Sequence, residues 1–293
     1  MNMSTPGELV TAAPRSERAI GAILVAGGRL GADDAERIVQ LQREKKLRFG
    51  EAGLTLGLLR QADIDYAISR QFDYPYLAAD DPSVGPELTA ALHPFRSVVE
   101  QLRALRSQLM LRWFGAEPAA GRALAIASAE RHEGRSFIAA NLAVVFAQLG
   151  QRTLLIDADL RNPAQHRFFR LDNRTGLSNL LSGRCGTEAI RPIAGLRTLS
   201  VLPAGTLPPN PQELLSRPSF AGLLDRAARE FEVVIVDTPA GAANADAHVV
   251  AARTRGALVV ARKDHSRAAA LARFGRSLAH SGVTVVGSVM NRH

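Results

Sequence analysis

Three runs of this 293-residue chain carry residue types suited to handling a phosphorylated ligand. From Leu124 an apolar strand pattern runs into a turn that ends Glu133-Gly134-Arg135-Ser136, and a helical pattern follows. A turn of this kind aims successive backbone N–H groups and a helix N-terminus at phosphate oxygens, and the Ser136 hydroxyl is placed to ligate Mg2+. Against the pattern G-x-x-x-x-G-K-[ST], Gly134 and Ser136 stand in place, whereas Ala129 replaces the first glycine and Arg135 the lysine. The chain has 33 arginines and three lysines, Lys45, Lys46 and Lys263, so a general exchange of lysine for arginine accounts for the residue type. It does not account for the geometry, because guanidinium is a planar fork and ammonium a compact point charge. The second run, from Thr153, ends in the carboxylates of Asp157 and Asp159 and continues Leu160-Arg161-Asn162-Pro163. The third, Glu232 to Pro239, carries Asp237. A single strand-end aspartate reads as a cap. Three beside a glycine turn point to a metal–nucleotide site, with one carboxylate on Mg2+ and another accepting a hydroxyl proton.

These residues need a scaffold that brings strand ends together. Buried-strand patterns recur near Leu124–Ala127, Thr153–Ala158, Leu199–Leu202, Val233–Asp237, Gly256–Ala261 and Val283–Val289, and helical segments separate most of them. This predicts an α/β fold: a mainly parallel sheet of the P-loop NTPase type with helices on both faces, whose ligands sit beyond the carboxyl ends of the strands. The length predicts a large domain plus a smaller one. A hydrophobic fraction of 46% suits a globular chain. No apolar run approaches the ~20 residues of a membrane span, and no secretory leader is visible at the N-terminus. The expectation is a cytoplasmic protein. The single Cys185 excludes an internal disulfide. Residues 1–80 hold ten basic and eleven acidic side chains, so the net charge of +8 resides in the remainder. Its arginines are dispersed and not interleaved with aromatics, which argues against nucleic acid as a partner.

Residues 1–16 read as a disordered tail. Residues 17–80 then repeat with an offset of 29: Gly21 with Gly50, Gly28 with Gly57, Leu30 with Leu59, Asp34 with Asp63, Val39 with Ile68 and Gln42 with Gln71. Each unit predicts a short helix, a glycine turn and a longer amphipathic helix, together a small helical repeat domain. Pro82, Gly85, Pro86 and Pro94 mark residues 81–94 as a linker ahead of the domain 95–293. In a helix expected from Phe95 to Phe114, Phe95, Val98, Leu102, Leu105, Leu109 and Trp113 form an apolar stripe. Glu100 and Arg103 lie on its polar side and Arg106 at the edge, either pairing at i, i+3 spacing or forming an interface between subunits.

The repeat resembles the N-terminal domain of type II secretion and type IV pilus ATPases, whose units run Arg-Leu-Gly, then Gly, then a helix ending in Gln. The second unit matches as Arg48-Phe49-Gly50 through Gly57 to Gln71, while the first has Ala19-Ile20-Gly21 and lacks the arginine. The resemblance implies a protein-docking module, or a cyclic di-GMP receptor as in some members of that family. From about His93 to Asn291 the chain is similar to the cytoplasmic domain of bacterial tyrosine kinases. Its layout resembles the EpsG-type chain-length-determinant tyrosine kinases of exopolysaccharide systems. The matching motifs are Glu100-x-x-Arg103-x-x-Arg106, Glu133-Gly134-Arg135-Ser136, Leu155-Ile156-Asp157-Ala158-Asp159 and Ile235-Val236-Asp237-Thr238-Pro239, with Gly176 to Gly183 and Leu202 to Leu215.

The resemblance implies an ATP-dependent protein-tyrosine kinase that regulates polysaccharide chain length and export. Arg131, His132, Glu133, Gly134, Arg135, Ser136, Phe137 and Asn291 would bind the nucleotide, with Asn291 facing the adenine or closing a turn. Ser136, Asp157 and Asp237 would hold Mg2+, and Asp157, Asp159 and Asp237 would be catalytic. Glu100, Arg103 and Arg106 would form the interface of a homo-oligomeric ring. A membrane polysaccharide co-polymerase, as a separate chain, would recruit the protein to the inner membrane. The family's loop commonly reads Pro-Gly-Glu-Gly-Lys-Ser, so Arg131 and His132 add side chains, and a β-carbon at His132 would crowd a phosphate. The family's tyrosine cluster has no counterpart before His293. The chain's three tyrosines are Tyr66, Tyr74 and Tyr76, read as packing residues or as alternative phosphorylation sites. Two other readings compete: a nucleotide-binding scaffold with little phosphotransfer, and a Min/Par-type positioning ATPase. The latter group's additional loop lysine is Glu130 here.

Overall fold

The computed structural model describes residues 19–71, 75–115, 123–241 and 244–292; the expected tail over residues 1–16, and Tyr74, lie outside the described residues. The chain divides into two compact units, Met1–Tyr74 and Pro75–His293. The first contains α1 (Ile20–Ala26), α2 (Ala32–Lys45), α3 (Phe49–Thr55) and α4 (Gln61–Gln71). The 29-residue offset carries α1 onto α3 and the start of α2 onto the start of α4. Gly28 and Gly57, in equivalent turns, both adopt φ of +67°, a conformation that side chains resist. Leu24, Leu30 and Ile38 of the first repeat share one core with Ala52, Leu59, Ile64 and Ala67 of the second. Each short repeat therefore buries the apolar face that the other cannot bury alone.

The second unit runs α5 (Thr89–Leu92), α6 (Ser97–Leu109), β1 (Ala123–Ala127), α7 (Arg135–Gln148), β2 (Thr153–Asp157), α8 (Gln165–Phe168) and α9 (Leu177–Leu181). It continues through β3 (Arg191–Ile193), β4 (Leu196–Leu202), α10 (Pro211–Ser216), α11 (Pro218–Glu230), β5 (Val233–Asp237), α12 (Asp246–Thr254), β6 (Gly256–Arg262), α13 (Ala268–His280) and β7 (Thr284–Asn291). The sheet order is β3-β4-β2-β5-β1-β6-β7. Every pairing is parallel except β3 with β4, an antiparallel edge pair missing from the sequence expectations. Three residues with two exposed positions make β3 too short to show a period.

Side chains of a strand alternate between faces, and here both faces are covered. Leu124, Ile126, Leu155, Val233 and Ile235 pack with α5, α6 and α7, whereas Ala125, Ala127, Leu154, Ile156, Val234 and Val236 pack with α9 to α13. Burial on both faces explains why β1, β2 and β5 read as continuous apolar runs. Helix α7 is buried almost all round and contacts β1, β2, β4 and β5, which fixes the direction in which its N-terminus points.

Two expectations need correction. Residues 81–94 are core and not a linker: Val84, Leu88, Ala90, Ala91 and Leu92 are buried. The Asn141 side chain of α7 accepts the Ala90 N–H at 2.8 Å and donates to Glu87 O at 2.9 Å, so the strap's irregular backbone is satisfied from within the core. Phe95 was expected in the apolar stripe but is 50% exposed, because α6 starts after it and its ring meets Tyr76 edge-on. The helix also widens into a π turn over Met110–Phe114. Removing the Asn141 amide leaves the buried Ala90 N–H and the part-buried Glu87 carbonyl without their side-chain partner. Asn141→Ala is expected to lower stability by about 2 kcal/mol, read as a reduced urea midpoint.

Candidate nucleotide and metal site

The loop between β1 and α7 is held from outside. Glu133 is fully buried, accepting the Glu130 N–H at 2.7 Å and the Ser266 hydroxyl through its other oxygen. Arg262 donates to His132 O at 3.1 Å, the His265 ring nitrogen lies 3.1 Å from Arg131 O, and Asn291 donates to Glu133 O at 3.2 Å. With these carbonyls engaged, the backbone amides from Arg131 to Phe137 have no protein acceptor among the described residues; the next, Ile138 N–H, donates to Gly134 O. A row of free amides at the N-terminus of a buried helix is an anion cradle. Gly134 has φ of +91°, a conformation that side chains resist, and a Cβ there would press on the Asn291 amide that holds Glu133 O. His132 adopts φ of +62° with its side chain exposed, a strained conformation for a residue with a β-carbon.

Arg135 differs from expectation. Its side chain is 9% exposed, with Nε donating to Thr238 O at 2.8 Å and one terminal nitrogen donating to Glu130 O at 3.0 Å and to the Ser128 hydroxyl. The other terminal nitrogen lies 3.8 Å from Asp159. The fork therefore fastens the loop to the end of β5, and most of its donors serve protein oxygens. Phe137 also differs: its side chain packs on the core beneath the sheet, leaving only its amide for a ligand.

The carboxylates converge as parallel strand pairing requires. Asp157 and Asp237 are register partners at the ends of β2 and β5, both fully buried. One Asp157 oxygen accepts the Asp159 N–H at 3.2 Å and the other accepts the Ala164 and Gln165 N–H groups, each at 3.0 Å. Asp159 accepts the Arg161 and Asn162 amides, shaping the turn that follows β2. Arg161 then makes a two-pronged ion pair with buried Asp246 of α12, at 2.7 and 3.3 Å. Asp237 Oδ2 accepts from the Gln165 amide at 2.8 Å, while Oδ1 is buried without a hydrogen-bond partner among the described residues. Burial pushes the Asp237 carboxyl up to about 6, against the opposing influence of Arg135, Ser136 and Gln165. Burial, with Asp237 alongside, holds Asp157 well above the usual carboxylate range.

A cation beside the Asp237 carboxylate and the Ser136 hydroxyl would offset the cost of burying that charge. Ser136, Asp157 and Asp237 offer hard oxygen donors, as Mg2+ prefers, and it commonly takes only one or two carboxylates, with phosphates and water completing its shell. The residues present fit both Mg2+ and a polyphosphate.

Sequence reasoning missed Gln165, which touches Ser136, Asp157 and Asp237, and Ser266, which braces Glu133. Neither belongs to a pattern: Gln165 opens the short helix α8 and Ser266 lies in the loop after β6. The Gly176-Leu177-Ser178-Asn179 run proves structural: Asn179 Oδ1 accepts the Gly176 and Thr206 amides, clipping α9 to the loop after β4. Glu100 pairs with Arg103, which also donates to the Tyr76 hydroxyl at 3.1 Å, and Arg106 donates to Val145 O at 2.8 Å. These three lie on α6, apart from the carboxylate cluster.

Residues 120–293 match the ParA family, described as NUBPL iron-transfer P-loop NTPases. The tyrosine-protein kinase YwqD of Bacillus subtilis (strain 168) is 36% identical over 66% of this chain and 80% of its own length. The tyrosine-protein kinase etk of Escherichia coli (strain K12) is 34% identical over 76% of this chain, which spans 28% of that relative. The solved kinase domain of the Escherichia coli tyrosine kinase ETK superposes with a TM-score of 0.66 at 35% identity, covering 70% of this chain and 79% of that one.

A carboxyl raised by the fold stabilises it fully below the unfolded value of 3.8, and that contribution is lost as pH rises through about 6. Asp237→Asn removes the buried charge. Its unfolding temperature relative to the wild type is therefore expected to be several degrees higher at pH 7.5 than at pH 5, in metal-free buffer. His132→Gly relieves the left-handed strain against a gain in unfolded-state entropy, and a net stabilisation of about 0.5–1 kcal/mol is expected in the same assay.

Proposed function

The chain belongs to the bacterial tyrosine kinase family, and we propose that it transfers the γ-phosphoryl group of ATP to tyrosine hydroxyls in the control of exopolysaccharide chain length and export. The observation that carries this reading is the register pairing of Asp157 with Asp237 next to Ser136 and the open amides of the loop. In phosphoryl transfer the protein's work is positioning and charge stabilisation, with little covalent chemistry of its own. The amides from Arg131 to Phe137 bind the phosphates, and Arg135 keeps the loop in the shape that presents them. The Ser136 hydroxyl and Asp237 would hold Mg2+, with Asp157 beside them. Bound there, the ion supplies charge neutralisation across the phosphates. Asp157 accepts the phenolic proton, as the carboxylate paired in register with Asp237 beside the phosphate loop. Asp159 holds the turn and faces Arg135, a positioning role.

On the same reading the protein works as a homo-oligomer through Glu100, Arg103 and Arg106, and a membrane co-polymerase on a separate chain recruits it. Eps- and cps-region kinases among its relatives support the polysaccharide connection. No helix among the described residues is long and apolar enough to cross a membrane.

The test is incubation of the purified chain with labelled ATP, Mg2+ and a glutamate–tyrosine copolymer. Phosphotyrosine is expected, with Asp157→Ala reducing its rate by about 100-fold or more. Nucleotide binding without phosphotyrosine, also in the presence of a co-polymerase cytoplasmic segment, would replace this reading with a non-catalytic scaffold.

A further inference from the structure

Gln165, at the start of α8, is 0% exposed, and no charge or motif marks it in the sequence. Its side-chain amide nitrogen donates to Asp237 Oδ2 at 2.8 Å and to Ser136 O at 3.1 Å, and its backbone N–H donates to Asp157 Oδ2 at 3.0 Å. One residue thereby touches the two paired carboxylates and the serine of the phosphate loop. Two buried oxygens in this cluster, Asp237 Oδ1 and Gln165 Oε1, lack hydrogen-bond partners among the described residues. An amide whose nitrogen makes two bonds while its oxygen makes none has been oriented by its surroundings. Flipping it would set Oε1 against the Asp237 carboxylate, so the orientation with Oε1 unpaired is the one the carboxylate enforces.

We infer that Gln165 is a positioning residue for the metal site: its nitrogen holds one oxygen of Asp237 and the carbonyl of Ser136, leaving Asp237 Oδ1 as the oxygen for a divalent cation and Gln165 Oε1 as the acceptor for a cation-bound water. The inference rests on the proposed Mg–nucleotide reading. It deepens that reading by assigning a second layer around the metal donors, of the kind that commonly tunes metal affinity by 10–100-fold. Gln165 acts on the cation through its neighbours and takes no part in the bonds made or broken.

The experiment measures ADP affinity calorimetrically, with Mg2+ and with EDTA, for the wild type, Gln165→Met and Gln165→Asn. Methionine keeps the volume and loses the amide; asparagine keeps the amide one methylene short. Both variants are expected to bind metal-free ADP like the wild type, which also reports a folded loop. The affinity gain that Mg2+ confers should fall about tenfold. An unchanged Mg2+ gain in both variants would overturn the inference while leaving the nucleotide site standing. So would an equal loss with and without metal, which marks a merely structural role. A wild type whose ADP affinity ignores Mg2+ would overturn the metal-site reading itself, and the inference with it.

Discussion

Two carboxyl groups placed side by side in a dry interior are the constraint around which this domain is arranged. Parallel pairing of β2 with β5 makes Asp157 and Asp237 neighbours at their carboxyl ends, and the covering helices exclude water from both. Left alone, such a pair repels itself and resists ionisation. The fold answers with backbone N–H groups on Asp157, a glutamine amide on Asp237, and the Arg135 guanidinium close by. The compensation is incomplete at Asp237 Oδ1, and that remaining electrostatic demand makes the site receptive to a cation.

The same logic extends outward through the loops. Arg135 fastens the phosphate loop to Thr238 after β5, and Arg161 anchors the turn after β2 to Asp246 of α12. Glu133 and Ser266 tie the phosphate loop to the segment following β6. The ends of β1, β2, β5 and β6 are thus cross-braced by largely buried polar contacts that would be costly to break singly. Helix α7, enclosed on all sides and strapped by residues 81–94 through Asn141, sets the direction of the free amides. Rigidity behind the site and open hydrogen-bonding capacity within it are complementary consequences of one packing arrangement.

Much of this was legible in the residues. Continuous apolar runs ending in aspartate announced buried parallel strands, because only sheets covered on both faces dispense with alternation. The 29-residue offset marked out paired helical repeats, since identical turns need identical glycines. The strap over residues 81–94 was misread: proline and glycine punctuate loops wherever they occur, and composition does not register a backbone whose partners are buried side chains 50 or more positions away. Arg135 stands at the loop's lysine position in the sequence, but nothing there shows what its side chain holds. Its type announces a fork, while the acceptors that occupy the fork come from β5 and from the loop itself.

Sequence alone determined the fold class and the identities of the strand-end carboxylates, because strand periodicity and motif spacing are local properties that neighbours along the chain impose. Tertiary structure decided which oxygen of each carboxylate is already engaged, that Gln165 joins them, and that the loop's amides face outward while its arginine faces in. Those outcomes depend on strand register and on contacts across 72 and 103 positions, between Gln165 and Asp237 and between Arg135 and Thr238. Only packing brings such distant groups within hydrogen-bonding range.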